Sequence, residues 1–226
     1  MKLLRTNRHC IMKKGVLVLF VFLSVFSTYG QKASLTEEVM SLKTYGFGKP
    51  NPVPILAENA KIFPYFKFEE YEKEAQKKDW KVITLENDYI QVFILPEIGG
   101  KVWGAIEKST GNEFLYKNKV VKFRNIAMRG PWTSGGIEMN FGIIGHHPGT
   151  ATSVDYMTRE NNDGSVSCFV SNTDLPSNTR WNVEIRLERD KAYFETNVSW
   201  YNASPVNESY YNIITSAAVV SDDLEF

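Results

Sequence analysis

From Trp80 onward, apolar and β-branched residues come in short runs about ten residues apart, a rhythm of strands rather than of helices with one buried stripe. The runs are KVITLEN (81–87), YIQVFILP (89–96), KVWGAIEK (101–108), EFLYKNKVVKF (113–123), ATSVDYMTRE (151–160), SVSCFVSN (165–172), RWNVEIRLE (180–188), AYFETNVSWYN (192–202) and SYYNIITSAAVV (209–220). Hairpin chemistry joins several of them, in Ser109-Thr110-Gly111-Asn112, Asn162-Asp163-Gly164-Ser165 and Glu188-Arg189-Asp190-Lys191. So many short strands on tight turns predict an all-β chain folded as an antiparallel β-sandwich. In AYFETNVSWYN, Tyr193, Glu195, Asn197 and Ser199 share one face while Phe194, Thr196, Val198 and Trp200 share the other. The polar face suits either solvent or the floor of a sugar cleft.

The chain ahead of Trp80 reads differently. Glycines and prolines at Gly46, Gly48, Pro50, Pro52, Pro54 and Pro64 predict an extended lead-in over residues 31–79, lying on the surface of the 80–226 sandwich domain. Within it, KFEEYEKEAQKKD (67–79) has Glu/Lys pairs at i, i+4 but a thin apolar face, which predicts a short solvated helix or a loop. The first 30 residues follow a third pattern: a basic region, the apolar run VLVLFVFLSVF (16–26), and small residues before Gln31. That order, with a core shorter than the roughly 20 residues of a membrane span, predicts a signal peptide over 1–30 cleaved after Gly30. Translation from Met1 or from Met12 gives the same mature product, exported to the periplasm or beyond the cell, with no stable membrane insertion after cleavage.

Removing that segment changes the charge and the cysteine count. Lys2, Arg5, Arg8, Lys13 and Lys14 leave with it, so the remainder holds 21 basic against 26 acidic side chains, a net of about −5. A mildly acidic body without a basic stripe argues against nucleic acid as partner, because phosphate neutralisation drives such binding. Of the two cysteines only Cys168 remains. An exported protein with one thiol has no internal disulfide and depends on its apolar core. Cys168 stands in an alternating run and reads as a small buried residue, not a nucleophile.

One stretch, MRGPWTSGGIEMNFGIIGHHPGT (128–150), is unlike its surroundings. It packs glycines, a Gly-Pro-Trp step and the two remaining histidines into little more than 20 residues. Glycine costs folding entropy of roughly 0.5 to 1 kcal/mol relative to alanine in regular structure, so this density indicates a constrained loop where backbone approaches something closely. Arg129, Ser134, Glu138, Asn140, His146 and His147 supply polar groups and Trp132 a flat apolar surface. Donors and acceptors for vicinal hydroxyls, an aromatic face and titratable groups together suit a carbohydrate. Glu138, His146 and His147 are the candidate catalytic groups; Arg129, Trp132, Ser134 and Asn140, with Asp155 from the next strand, are the candidate binding groups. Glu138 also reads as an exposed strand residue or an ion-pair partner of Arg129, and the histidines as a packed loop corner. Adjacent histidines in extended chain point to opposite faces, so no metal site is expected, and no cofactor loop is signalled: no Gly-Lys-Ser/Thr follows the glycines.

The runs LENDYIQVFILPEIGGKVWGAIEKSTGNEFLYKN (85–118), RGPWTSGGIEMNFGIIGHHPG (129–149), VDYMTRENNDGSVS (154–167) and YYNIITSAAV (210–219) resemble a family of uncharacterised bacterial exported domains often followed by tetratricopeptide repeats. That family falls in the galactose-mutarotase-like supersandwich group. The resemblance implies a sugar-directed cleft on the large sandwich, for glycan binding or for epimerase-like or glycoside-cleaving chemistry in the full-length parent; a sugar-binding module without chemistry, or an inactive truncated fragment, is the alternative. In mutarotases a histidine is general acid at the ring oxygen and a glutamate is base at the anomeric hydroxyl. His146 or His147 takes the acid's place by position only, and the base has no counterpart, because the chain stops where the resembling domains enter their second half. The resemblance therefore implies an incomplete supersandwich, and the nearly uncharged YYNIITSAAVV (210–220) predicts an adhesive, poorly soluble isolated chain.

Overall fold

The computed structural model describes residues 32–48, 72–125, 131–142, 146, 148–174, 177–220 and 222. Residues 1–31, where a signal peptide is predicted, residues 49–71, Arg129 and His147 lie outside them. The fourteen strands are β1 (Ser34–Tyr45), β2 (Gln76–Glu86), β3 (Ile90–Leu95), β4 (Lys101–Glu107), β5 (Glu113–Leu115), β6 (Val120–Lys122), β7 (Arg124–Asn125), β8 (Pro131–Trp132), β9 (Ile137–Gly142), β10 (Asp155–Glu160), β11 (Val166–Asp174), β12 (Thr179–Leu187), β13 (Phe194–Asn202) and β14 (Tyr211–Ser216). A 3-10 turn covers Pro148–Ala151. Apart from it the regular structure of the described residues is all β, as the strand rhythm predicts.

An eight-stranded sheet runs β14-β9-β4-β3-β2-β1-β6, with β5 added to β4, and a four-stranded sheet runs β10-β11-β12-β13. Pairing is antiparallel except between β1 and β6. Alternation explains how the sheets stack. Ile83 and Leu85, Val92 and Ile94, Val102, and Met139 and Phe141 project from the large sheet into one cluster with Val166, Cys168 and Val170 of β11 and Trp181, Val183, Ile185 and Leu187 of β12. The Phe141 ring stacks on Trp181 at 4.8 Å between centroids, which fixes β9 against the small sheet. The opposite face of the large sheet carries a second cluster of Trp80, Val82, Leu95, Ile98, Trp103, Val121 and Phe123.

Three expectations change. The lead-in is not a surface covering: its residues 34–45 form β1, inserted between β2 and β6, and Thr44 Oγ1 accepts a buried hydrogen bond from Trp80 Nε1 at 2.9 Å. Met40, Leu42 and Thr44 alternate inward over the second cluster, while Glu37, Glu38 and Val39 stay exposed and blur the pattern. Residues 76–79 begin β2 in place of a helix end. The run 113–123 is two strands, because Asn118 at its centre accepts from the Val120 amide at 3.2 Å and donates to Ser134 Oγ, drawing the backbone out of the ladder.

Candidate functional site

Strand β9 sets the site. With Met139 and Phe141 fixed in the inter-sheet core, Glu138 and Asn140 must project from the other face of the large sheet. Both are buried there, with relative exposures of 3% and 1%. Asn140 Nδ2 donates to Glu138 Oε1 at 2.8 Å, and His146 Nδ1 meets the same oxygen at 2.5 Å. Glu138 Oε2 is buried with no hydrogen-bond partner among the described residues. A buried carboxylate oxygen without a partner is costly in an interior and marks a place where another group can bind.

Strand β4 brings a charge of the opposite sign. Val102 pairs with Ile137, so one register step further Lys101 stands across from Glu138. Lys101 is 2% exposed, and its Nζ donates to the Thr133 carbonyl at 2.5 Å and to Thr133 Oγ1 at 3.1 Å. Burial pushes its ammonium down to about 8, against the opposing pull of the Glu138 charge. Lys101 and Glu138 line a recess of about 130 Å³, completed by Trp132, Thr133, Gly135, Gly136, Thr215, Ser216 and Ala217.

The Gly-Gly step has a structural reason. Gly136 has φ +63°, and a Cβ there would lie 2.0 Å from the Val102 carbonyl oxygen. Its amide donates to Tyr116 O at 2.8 Å, its carbonyl accepts from Ala217 N at 2.9 Å, and Tyr116 N donates to Ala217 O at 3.1 Å. The close backbone approach that glycine permits is thus to the chain's own segments, which close the wall of the recess.

The sequence-predicted residues divide accordingly. Trp132 and Glu138 line the recess, and Asn140 and His146 hold Glu138. Ser134 sits beside it and accepts from Asn118. Asp155 is not brought there: it is exposed on the outer face of the small sheet, with Arg180 at 3.5 Å, in a separate recess with Ser171 and Asn182. Tyr156 also bounds a larger apolar groove of about 360 Å³ with Trp80 and Val154. Two of the polar groups at that groove engage each other: Lys81 Nζ donates to Tyr156 Oη at 2.7 Å, and Tyr156 Oη donates to Glu37. Lys101, Thr133 and Thr215 escape a reading of the sequence. A lysine opening a strand looks like surface, and only its shared face with Trp103 hints otherwise.

Among the described residues no group of three or more His, Cys, Asp or Glu side chains is placed to hold a metal ion, and no helix is long and apolar enough to cross a membrane.

Two stacked sheets with a charged recess on the far side of the larger one define an all-β sandwich domain with a built polar site. Residues 57–226 match the model of the family described as domain of unknown function (DUF5107), and the chain belongs to that family. Its fold is similar to that of a TPR-domain containing protein from Parabacteroides distasonis ATCC 8503, with a TM-score of 0.65 and 24% identity, covering 76% of this chain. The matched region spans 30% of that protein's length.

Proposed function

We propose that the chain is the carbohydrate-directed domain of an exported bacterial protein, binding or processing a glycan at the recess beside Glu138 and His146. The observation that carries this reading is the half-satisfied carboxylate: Oε1 is fixed by Asn140 and His146, while Oε2, in the recess that Trp132 also lines, has no hydrogen-bond partner among the described residues. When Glu138 is charged, the proton between it and His146 sits on Nδ1, which sets the imidazole with Nε2 as the basic nitrogen. Nε2 can then take a proton from a bound hydroxyl and, once protonated, give it to a ring oxygen, the acid role that the galactose-mutarotase-like resemblance implies for a histidine. Trp132 supplies the apolar face on which a sugar ring stacks.

Sugar binding with acid–base assistance is favoured over two-carboxylate hydrolysis. The latter needs a second carboxyl within roughly 5 to 9.5 Å. Asp155 and Glu195 do not supply one beside Glu138: they lie on the outer face of the small sheet, Glu195 opposite Arg186. The test is binding of neutral glycans to the wild-type chain and to Glu138→Gln and His146→Asn, with anomer interconversion followed by NMR. Loss of affinity of about 10-fold or more in Glu138→Gln is expected, since a charged hydrogen bond is lost. Equal binding by all three proteins, or none by the wild type across a broad glycan panel, refutes the reading. Export is tested separately, by a mature N-terminus at Gln31 in the periplasmic or secreted fraction.

A further inference from the structure

Two buried charges of opposite sign line one recess without touching. Lys101 and Glu138 stand across from each other on neighbouring strands, yet no ion pair or hydrogen bond joins them. Each is half committed elsewhere. The ammonium has three donors, of which two are directed at Thr133. The carboxylate has Oε1 engaged by Asn140 and His146, and Oε2 without a partner among the described residues. A gap bounded by a donor on one side and an acceptor on the other selects a guest that both accepts and donates. An anion at Lys101 would face the Glu138 charge, and a cation at Glu138 would face the Lys101 charge, in both cases with little water to screen them. A neutral hydroxyl meets neither penalty.

We propose that Lys101 and Glu138 together form a hydroxyl-binding subsite, in which the ammonium donates to, and the carboxylate accepts from, one hydroxyl of a neutral polyol or sugar. This rests on the glycan-directed reading above and names the part of the ligand that is gripped. Size supports it: the recess of about 130 Å³ is slightly smaller than the roughly 150 Å³ that admits a six-atom ring, so it takes a hydroxymethyl arm or a ring edge. Thr215, paired with Glu138 across the β14–β9 ladder, adds a hydroxyl to the wall, and Trp132 covers the apolar part. Depression of the lysine's proton affinity by burial fits a group held for a guest.

The test uses matched probes that differ only by a hydroxymethyl or a carboxylate: glycerol against glycerate, and methyl glucoside against methyl glucuronide. Ligand-observed NMR at low protein concentration gives their affinities for the wild-type chain and for Lys101→Met, Lys101→Arg and Glu138→Gln, each checked for a native melting transition. The neutral member of each pair is expected to bind at least about 10-fold better. Lys101→Met and Glu138→Gln should each lose about 10- to 100-fold for the neutral probes, matching removal of one charged hydrogen bond. Lys101→Arg, too long for the gap, should lose affinity although it keeps the charge. Preference for the anionic probes, neutral-probe affinities unchanged in folded Lys101 variants, or no binding of either neutral probe overturns the subsite. If larger glycans bind in a manner dependent on Glu138 and His146 but indifferent to Lys101, only the subsite fails. If the small polyols bind as expected and no glycan does, the subsite stands and the glycan reading fails.

Discussion

At Gly136 two separate constraints exclude a side chain: a left-handed backbone, and a carbonyl 2.0 Å from where a Cβ would sit. Gly111 has a similar φ of +76° but open space around it. Gly111→Ala should therefore cost only the conformational strain, about 1 kcal/mol, whereas Gly136→Ala should cost at least about 3 kcal/mol in urea unfolding, because β4 or the Gly136 loop must move. Equal costs would mean the backbone junction at Gly136 is slack. Lys101 makes a second prediction at this scale. In the folded chain it releases its proton above about pH 8, whereas its ordinary value is 10.5. Between these the unfolded state binds more protons, so folding stability contributed by Lys101 rises with pH across that window and is flat below it. Relative to Lys101→Met, the wild type should gain on the order of 3 kcal/mol from pH 8 to 10.5. Parallel stability curves for the two proteins would show that the ammonium is solvated.

Among the strands, β14 differs from the rest. Its strand partner is β9, its described side chains are all exposed, and no charged residue falls between Tyr210 and Val220. Ile213 and Ile214 are 46% and 36% exposed. An uncharged open edge of this kind templates pairing with another chain. Ile214→Lys should lower concentration-dependent self-association, read by sedimentation velocity, without loss of the β signal in circular dichroism; an unchanged sedimentation profile would place the adhesive surface elsewhere. The strands most legible in the sequence are those with clean alternation: β2 to β4, β11 and β12, whose inner faces are buried against the opposite sheet, and β13, whose inner face is only partly covered. β1 was not legible, because half its length is exposed and Pro and Gly beyond it suggested a surface path. β9 was hidden inside the glycine-rich segment, although Met139 and Phe141 alternate with Glu138 and Asn140 as a two-faced strand should. The site was legible as a segment and not as a constellation: Trp132, Glu138, Asn140 and His146 are local in sequence, whereas Lys101 and Thr215 reach them only through strand pairing. Adjacency in the chain does not say which face of which sheet a residue occupies, so Asp155, close in sequence to the glycine-rich segment, stands with Arg180 on the small sheet and not at the recess.

For the whole molecule, the inter-sheet core is shared by both layers, and Cys168 lies inside it with no exposed surface. Burial pushes its thiol up to about 12, so both access and ionisation depend on opening the core. In the chain from residue 32 it is the lone thiol, and its labelling by a disulfide reagent should track global unfolding: the protection factor should equal the reciprocal of the unfolding constant from denaturant titration. Labelling much faster than that would show that the two sheets part before the domain unfolds. The backbone junction of Tyr116, Gly136 and Ala217 has a consequence in time. Synthesis delivers Lys101, Tyr116 and Gly136 early, but Ala217, which completes the junction, about 80 residues later. Contacts that span so much chain form slowly, and domains consolidate as their segments emerge. The Lys101 and Glu138 charges therefore remain hydrated on the nascent chain, and they lose that water only when β14 docks. The recess comes into being only after β14 has been made.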